Sequence, residues 1–501
     1  MSNNTINTIL NHIERAGNKL PHPAVLFIYL CGLVLALSAL AVALDISATH
    51  PISGEVINSV NLLSRDGLQL ILTKAISNFV HFAPVGSVLV AIMGIGVAEH
   101  SGLINVVLKA TVLKAPRQLL SFIVVFTGVL SSLAMDTGYV VLIPLAALVF
   151  ISAGRHPLAG IAAAFAGVSG GFSANLMIGP VDAILGGISS EAANLVQAGY
   201  QVSAAANYYF IVASTLLISV VGTWVTEKIV IPQLGEYSEQ QEDTINQPIS
   251  PQEKRAVYWV GLFSIIFIGL LLWGLIPATG ILRGDNSSIL NSPFIQGIVV
   301  IIAVYAAIAG FIFGRVSGNY RRADDFISGM ESSLNSMSSY LVLMFFAAQF
   351  VNYFNWSQLG AISAINGAEF LKTLNLSSAT LLASFIVMSA LINLLIGSAS
   401  AKWALFAPIF VPMFLLLGIT PEATQIAFRI GDSTTNIITP LMPYFGVVIA
   451  FVQRYDKQAG IGTIIATMLP YSIAFLLSWT VLLLVWMMLD WPLGPGAKLF
   501  L

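Results

Sequence analysis

The sequence predicts an all-α integral membrane protein with about nine transmembrane helices and two re-entrant hairpins, arranged as an inverted structural repeat with two broken helices. Of its 501 residues, 57% are hydrophobic and 9% are charged, whereas soluble domains carry about 25% charged residues. The apolar runs are long and continuous, which favours helices over the alternating strands of about ten residues that build membrane barrels. Glycine, serine and charged residues interrupt several runs near their centres, which indicates non-helical backbone at membrane depth.

Composition and motifs limit the expected partners. The net charge is −2 and the sequence has no basic stripe, so nucleic acid is not expected to bind. The single cysteine, Cys31, excludes an internal disulfide. No HExxH, CxxC or Walker motif is present in the sequence, so no enzyme activity is expected. The expected partners are membrane lipid and a small-molecule substrate, with no organic cofactor.

The first half of the chain, residues 1–226, is predicted to contain four spans and one hairpin. The spans cover 23–44, 68–108, 158–184 and 204–225, and the hairpin covers 119–151. The second span exceeds one straight crossing at 1.5 Å per residue, so a kinked or two-part helix is expected. The hairpin has Asp136 at its polar midpoint, and the third span is interrupted by a Gly- and Ser-rich run at 167–175, which predicts a broken helix.

A polar linker with three prolines, residues 227–256, separates this half from the second half, residues 257–501. The second half is predicted to contain a hairpin at 381–417 and five spans, at 257–275, 294–313, 336–353, 423–452 and 464–489. The sequence GSAS marks the midpoint of this hairpin, and GDSTTN marks the break in the span at 423–452.

The two halves show the same order of elements, namely a hairpin, a proline and a broken helix. Pro157 and Pro421 lie 264 positions apart, and the same offset aligns Gly167 with Gly431. The first hairpin begins on the side rich in Lys and Arg, and the second begins on the opposite side. The halves are therefore predicted to be inverted, as in secondary transporters whose site lies between discontinuous helices.

The distribution of positive charge predicts the orientation. Fourteen of the 21 Lys and Arg residues fall on one side of this topology and four fall on the other. The positive-inside rule then places the N-terminus in the cytoplasm and the C-terminus in the periplasm or outside the cell. The expected location is a bacterial-type inner membrane.

The stretch 393–443 concentrates polar chemistry at membrane depth. Asp432 lies in the GDSTTN run, where the carboxylate, hydroxyls and backbone carbonyls of an unwound turn would together bind Na⁺. The alternative is that Asp432 caps the following half-helix. Asn393 and the GSAS turn would bring amide and hydroxyl groups to the hairpin tip, or the small residues there would only permit close helix packing.

Three further side chains in this stretch carry open alternatives. Arg429 precedes Asp432 by one helical turn and either pairs with it or binds a substrate carboxylate through its forked guanidinium. Lys402 is expected to extend its ammonium to the membrane interface, with direct ligation in the site as the alternative. Trp403 either stacks on an aromatic substrate or packs in the core.

The first half carries counterparts of these groups. Asp136 either belongs to a second cation or proton site or caps a helix. Ser169 and Asn175 would complete that second site, or they would only satisfy backbone groups that the broken helix leaves free.

Three segments resemble the AbgT family of p-aminobenzoyl-glutamate transporters: GSASAKWA at 397–404, PEATQIAFRIGDSTTNIITPLMPY at 421–444 and AMDTGYVVLIPLAALVF at 134–150. The resemblance implies a bowl-shaped homodimer with nine spans and two opposed hairpins per subunit. It implies transport of p-aminobenzoyl-glutamate, and in some members export of sulfonamide antimetabolites, coupled to Na⁺ or to the proton gradient. It also implies Na⁺ held by Asn393 and Asp432, and a substrate path shaped by Asp182, Ser400, Trp403, Pro421, Arg429 and Pro440.

These features, together with the substrate class that the resemblance implies, predict a secondary active transporter of folate-related aromatic carboxylates. A sodium/dicarboxylate carrier of the same architecture is the first alternative, and a gated channel is the second. Competition between p-aminobenzoyl-glutamate and succinate would separate the two carriers, and uptake against a gradient would exclude the channel.

Overall fold

The computed structural model describes most of the chain, namely residues 23–49, 54–113, 115–134, 138–235, 237, 249–284, 292–322, 324–442 and 444–501. Asp136, at the midpoint of the first hairpin, lies outside these residues. Within them, the protein is helical apart from one two-stranded hairpin, two isolated β-bridges and the connecting turns.

The N-terminal part consists of a helix, a β-hairpin and two consecutive helices. Helix α1 is Pro23–Ala43, strands β1 and β2 are Ser47–Thr49 and Val56–Asn58, and helices α2 and α3 are Arg65–Val80 and Ala83–His100. The two strands pair antiparallel, with Ala48 opposite Ile57. The break between α2 and α3 confirms the predicted two-part helix.

The first hairpin is confirmed as two short helical legs on either side of a tip. Helix α4 is Leu103–Leu113, and the 3₁₀ turn Arg117–Leu119 leads into the first leg, α5, which is Leu120–Ser131. The second leg consists of the π turn Gly138–Leu142 and helix α6, which is Ile143–Ser152. Helix α5 has 12 residues and is about 18 Å long, too short to cross a hydrocarbon core of about 30 Å.

The first broken helix follows this hairpin. Helix α7 is Pro157–Phe165, the π turn Ala166–Gly170 extends it, and helix α8 is Pro180–Ala193. Prolines begin α7 and α8 because the first helical position needs no N–H partner. The break begins at Gly171, a few residues after the start that the sequence predicts.

The middle of the chain connects the two halves. Helices α9 and α10 are Tyr208–Val225 and Ile231–Leu234, and the π turn Thr226–Val230 joins them. Three helices come next, namely α11 (Pro251–Leu275), α12 (Pro293–Gln296) and α13 (Ile298–Ser317). Three more lead to the second hairpin, namely α14 (Asp324–Ser336), α15 (Ser338–Trp356) and α16 (Leu359–Thr373). Ser250 caps α11 by accepting from the N–H of Glu253, whose carboxylate accepts from the Ser250 N–H. Both ends of the linker 227–256 are therefore helical.

The second half repeats the order of the first. Its hairpin consists of α17 (Ser378–Asn393) and α18 (Ala399–Leu415), its broken helix consists of α19 (Pro421–Thr435) and α20 (Phe445–Val452), and α21 is Ile461–Met488. In both halves, a sharp bend precedes the first hairpin leg. The angle is 112° between Leu103–Leu113 and Arg117–Ser131, and it is 117° between Leu359–Thr373 and Ser378–Asn393. The helix order confirms the predicted repeat.

The break in the second broken helix lies later than predicted. The sequence places it at GDSTTN, but α19 continues through Thr435. The Thr434 hydroxyl donates to the Ile430 carbonyl at 2.9 Å, and the Thr435 hydroxyl donates to the Gly431 carbonyl at 3.0 Å. These hydroxyls donate to carbonyls of their own helix, so they do not stabilise a turn in its place. Asp432 therefore lies inside α19, so the unwound turn predicted around it is wrong, and so is the alternative that it caps the following half-helix.

The lengths and the apolar composition of the helices are those expected of a membrane protein. Among the described residues, six helices are long and apolar enough to cross a membrane, and the number is nine if each of three bent pairs is one span. The predicted count of nine lies at the top of this range. Large apolar side chains such as Leu72, Ile265 and Trp273 are mostly exposed, which is the surface expected against lipid.

Helix α19 is buried along its whole length, against α17, α18, α8 and α21. One of its faces is nevertheless polar, because Glu422, Gln425, Arg429 and Asp432 recur every three or four positions. A buried polar face must find its partners inside the protein. Helix α19 is therefore the element around which a polar centre forms.

Gly431 permits the close packing of α19 on α17. A Cβ added there would lie 2.3 Å from the Ile386 carbonyl oxygen and 2.7 Å from the Ser389 Cβ. We expect Gly431→Ala to lower the thermal unfolding temperature and the yield of monodisperse protein in detergent, because overpacking costs about 1–3 kcal/mol. Gly446→Ala is the matched control, since nothing lies within 4 Å of a Cβ added there. Equal behaviour of the two variants would contradict this packing.

Candidate functional site

An ion pair joins the two halves of the protein on the polar face of α19. Arg429 Nη1 donates to Asp182 Oδ1 at 2.7 Å, although the two residues are 247 positions apart. Arg429 Nη2 donates to the Ser173 carbonyl, in the break of the first half, at 3.1 Å. The two side chains are 4% and 6% exposed, so the pair is shielded from water.

Asp182 is positioned by the start of α8. It is the third residue of the helix, and its Oδ2 accepts from the N–H of the N-cap residue, Gly179, at 2.7 Å. A carboxylate at this position satisfies a free N–H and is favoured by the helix dipole. Each carboxylate oxygen of Asp182 therefore has a donor, one from each half of the protein.

The alternative in which Arg429 pairs with Asp432 is wrong. The Arg429 guanidinium points to α8, and the Asp432 carboxylate is paired with a different cation. Arg429 Nε is buried and has no hydrogen-bond partner among the residues that the structure describes. That Arg429 binds a substrate carboxylate stays a prediction.

A second buried ion pair lies one turn further along α19. Lys402 Nζ contacts Asp432 Oδ1 and also donates to Asn393 Oδ1. The Lys402 and Asp432 side chains are 0% and 1% exposed. The expectation that Lys402 reaches the membrane interface is therefore wrong. Lys402 lies in the first turn of α18, beside the hairpin tip, and its charge is compensated inside the protein by a carboxylate.

Asn393 and Asp432 lie close together, as predicted for a shared site. Asn393 Nδ2 donates to the Asp432 carbonyl at 2.6 Å, and it also donates to Thr435 Oγ1 and Asn436 Oδ1, both at 2.9 Å. The last four carbonyls of a helix lack intrahelical partners. Asn393, the last residue of the first hairpin leg, therefore caps the end of α19.

Trp403 is fully buried, in agreement with the core-packing alternative. Its ring lies 4.7 Å from the ring of Phe428 with an interplanar angle of 32°. Its Nε1 donates to Ser189 Oγ at 3.0 Å and to the Leu185 carbonyl at 3.2 Å. Stacking of Trp403 on a substrate ring requires this packing to open.

Ser400 and Pro440 lie around the tip of the second hairpin. Ser400 is half-buried in the first turn of α18, and its hydroxyl is 3.3 Å from Ser398 Oγ. Pro440 lies in the break after α19. The next residue, Leu441, packs so closely on the tip that its carbonyl oxygen would lie 2.4 Å from a Cβ at Gly397. The structure thus brings the tip and the break together.

Pro421 lies at the far end of α19 from the Lys402–Asp432 pair. It is the first residue of the helix, eight positions and about 12 Å along the axis from Arg429. The predicted substrate-path residues are therefore spread along α19 and around the hairpin tip, and two of them, Asp182 and Arg429, form an ion pair.

Two contacts of α19 were not predicted from the sequence. Glu422 Oε2 accepts from the Tyr200 hydroxyl at 3.0 Å, and Gln425 Oε1 accepts from Asn207 Nδ2 at 2.5 Å. Both partners come from the first half of the chain. The recurrence of polar residues every three or four positions in an otherwise apolar segment is the signal that could have identified Glu422 and Gln425.

The residues of the predicted second cation or proton site have separate partners. Ser169 Oγ lies 2.8 Å from Met442 Sδ, in the break of the second half. Asn175 Nδ2 donates to Ser132 Oγ at 3.1 Å. This bond links the break of the first broken helix to the first hairpin near its tip. Because Asp136 lies outside the described residues, this second site stays a prediction.

A cavity of about 500 Å³ lies beside the first hairpin. Apolar side chains of α3, α4 and α13 form most of its lining, and its polar members include Thr127, Ser131 and Asn175. Thr127 Oγ1 is buried without a hydrogen-bond partner in the described part of the chain. Asn175, which lines the cavity, is two positions from Ser173, whose carbonyl binds Arg429.

The chain is similar to known proteins over nearly its whole length. The model of the AbgT transporter family matches residues 8–501. The p-aminobenzoyl-glutamate transport protein of Escherichia coli (strain K12) is 36% identical over 485 residues, which cover 97% of this chain and 95% of that protein.

Two solved structures share the fold. The crystal structure of the Alcanivorax borkumensis YdaH transporter, described as having an unusual topology, matches with a TM-score of 0.91 and 52% identity, covering 95% of this chain and 100% of that chain. The structure of Neisseria gonorrhoeae MtrF, described as illuminating a class of antimetabolite efflux pumps, matches with a TM-score of 0.93 and 47% identity, covering 98% and 100%.

These findings confirm the resemblance that the three sequence segments indicate. The relatives are named as transporters and an efflux pump, which also confirms the prediction that the protein is not an enzyme. The family model covers nearly the whole chain, and the relatives exceed 30% identity over almost their full length. The chain therefore belongs to the AbgT transporter family.

Proposed function

We propose that the protein is a secondary active transporter of p-aminobenzoyl-glutamate and related aromatic carboxylates, that it can export sulfonamide antimetabolites, and that it is coupled to a Na⁺ or proton gradient. The Asp182–Arg429 pair carries the proposal, because this buried pair lies where the broken helices of the two halves meet. The substrate class comes from the name of the E. coli relative and from the pump class to which MtrF belongs.

Arg429 is the proposed anchor for a substrate carboxylate. Its guanidinium already binds the Asp182 carboxylate, which supports a geometry suited to carboxylates. A substrate carboxylate would exchange with that of Asp182 or would use the free Nε–H of Arg429. The residues proposed to shape the rest of the path are Ser400, Trp403, Pro421 and Pro440.

The cavity beside the first hairpin favours an aromatic substrate over succinate. Its volume of about 500 Å³ lies within the range of about 300–1,000 Å³ that is common for small-molecule sites. Its mostly apolar lining suits an aminobenzoyl ring, whereas the two charges of a small dicarboxylate need polar partners when they are desolvated. The sodium/dicarboxylate carrier is therefore the second candidate.

The proposed site for Na⁺, as the transported ion, consists of Asn393 and Asp432. It lies at the C-terminal end of α19, and such half-helix ends coordinate cations in transporters. The hydroxyls of Ser389 on α17 and Ser433 on α19 are buried and have no hydrogen-bond partner within the described ranges. They are further oxygen donors of the kind that hard cations prefer. Asp136, Ser169 and Asn175 are proposed as the second cation or proton site.

We further propose a homodimer in a bacterial-type inner membrane, with the N-terminus in the cytoplasm and the C-terminus in the periplasm. In this arrangement, the halves 1–226 and 257–501 are inverted, and the linker 227–256 lies in the cytoplasm. The charge distribution along the sequence supports this orientation.

Flux of radiolabelled p-aminobenzoyl-glutamate in proteoliposomes tests the proposal when Na⁺ and pH gradients are imposed separately. We expect saturable accumulation that one of the two gradients drives and that is lost in Asp432→Asn. Asp490→Asn is the matched control, because Asp490 is exposed and its loss should leave transport unchanged.

Three outcomes would contradict parts of the proposal. Flux that is indifferent to both gradients would exclude ion coupling. Competition by succinate as strong as competition by unlabelled p-aminobenzoyl-glutamate would favour the dicarboxylate carrier. Uptake in which the substrate concentration inside the vesicles never exceeds the equilibrium value would favour the gated channel.

A further inference from the structure

Lys402 is the buried charge for which the proposed function gives no role. Its ammonium contacts Asp432 Oδ1 and Asn393 Oδ1, which belong to the two side chains proposed to hold the transported cation. Its side chain is completely buried, so bulk solvent does not compensate its charge. The ammonium therefore depends on these two oxygens.

The orientation of the Asn393 amide supports this arrangement. Its Nδ2 faces the backbone carbonyl of Asp432 at 2.6 Å, and a carbonyl can only accept a hydrogen bond. Its Oδ1 therefore faces Lys402, whose ammonium can only donate. One charged oxygen and one neutral oxygen thus converge on the ammonium, as they would converge on a free cation.

We infer that the Lys402 ammonium is a tethered cation that takes the place of Na⁺ between Asn393 and Asp432, so that Lys402 and Na⁺ exclude each other there. The inference rests on the proposed function because that proposal names the cation site. In the observed arrangement, the Asn393 and Asp432 oxygens do not bind Na⁺ and the ammonium at the same time. Lys402 thus determines how strongly the site binds a free cation.

Charge balance gives the physical reason for the exclusion. The single negative charge of Asp432 is balanced by Lys402, and Na⁺ would add an unbalanced positive charge in a space shielded from bulk solvent. Like charges repel more strongly in such surroundings than in solution. The Lys402 side chain is long and flexible and begins beside the hairpin tip, so its ammonium can withdraw when a free cation binds.

The Na⁺ dependence of thermal unfolding tests the inference on the full-length protein in detergent. NaCl is titrated against choline chloride at constant ionic strength for wild type, Lys402→Met and Lys402→Met/Asp432→Asn. Methionine keeps an unbranched side chain and removes the charge. We expect half-maximal stabilisation of Lys402→Met at about tenfold lower Na⁺ than for wild type, and no Na⁺-dependent stabilisation of the double variant.

The matched control is Lys372→Met, because Lys372 is exposed and its loss should leave the wild-type response to Na⁺ unchanged. Equal half-maximal Na⁺ concentrations for wild type and Lys402→Met would overturn the inference. If Lys402→Met misfolds in choline chloride, NaCl should restore its folded yield, and failure to do so would overturn the inference as well. The assay contains no substrate, so a failure of the separate flux experiment bears on the proposed function alone.

Discussion

Arg429→Gln is expected to lower the free energy of unfolding by about 3–5 kcal/mol, because it leaves the buried Asp182 carboxylate without its cation. Asp182→Asn should cost a similar amount, since it leaves the guanidinium of Arg429 unpaired. The double variant Asp182→Asn/Arg429→Gln should regain most of the lost stability, because neutral amides leave no uncompensated charge. Transport should be lost in the two variants that lack Arg429 if Arg429 anchors the substrate.

Unfolding curves of the purified variants in detergent measure this effect. Arg155→Gln is the matched control, because Arg155 pairs with Glu227 at 2.5 Å with side chains 23% and 33% exposed. An ion pair so accessible to water contributes about 0–1 kcal/mol. If Arg429→Gln lost no more stability than Arg155→Gln, the central ion pair would not have the role assigned to it.

Asn393→Ala is expected to abolish transport and to lower the unfolding temperature. The variant removes the donor to the Asp432 carbonyl and to Asn436 Oδ1, and it removes one of the two oxygens around the Lys402 ammonium. Each buried polar group left without a partner costs about 1–3 kcal/mol. The end of α19 should then lose its fixed position against the hairpin.

Uptake in proteoliposomes and thermal unfolding measure the two parts of this prediction. Asn352→Ala is the control, because the Asn352 amide donates to the Ala348 carbonyl of its own helix at 2.9 Å and not to another element among the described residues. Wild-type transport in Asn393→Ala would show that the cap of α19 is not needed for function.

Elements that depend on local chemistry were predicted correctly from the sequence. Pro157 and Pro421 begin helices in both halves, because proline is favoured at the first helical position. The GSAS segment forms the tip of the second hairpin, where the Ser398 hydroxyl accepts from the Ala401 N–H at 3.3 Å and caps α18. The repeat was visible because both halves use the same local signals in the same order.

The partners of the buried charges could not be predicted, because tertiary packing decides them. Arg429 and Asp432 lie one turn apart, so the local rule favours their pairing. The observed partner of Arg429 comes instead from the other half of the chain. The rule for lysines near helix ends likewise assumes an end near the interface, whereas α18 begins at a hairpin tip inside the protein, where Lys402 is buried.

The predicted position of the second break was wrong for a related reason. Outside a packed context, Asp, Ser and Thr favour turns because their side chains compete for backbone hydrogen-bonding groups. In α19, the hydroxyls of Thr434 and Thr435 bond to carbonyls of the preceding turn, and neighbouring helices bury the whole segment. Packing therefore outweighs the local preference for a turn.

Equilibrium binding of radiolabelled p-aminobenzoyl-glutamate to the folded Asp182→Asn/Arg429→Gln variant tests the central claim most directly. The claim is that substrate binds where α8 of the first half meets α19 of the second, at the guanidinium of Arg429. We predict saturable binding to the wild type and none to the double variant, although both are folded. Wild-type affinity in the double variant would contradict this account.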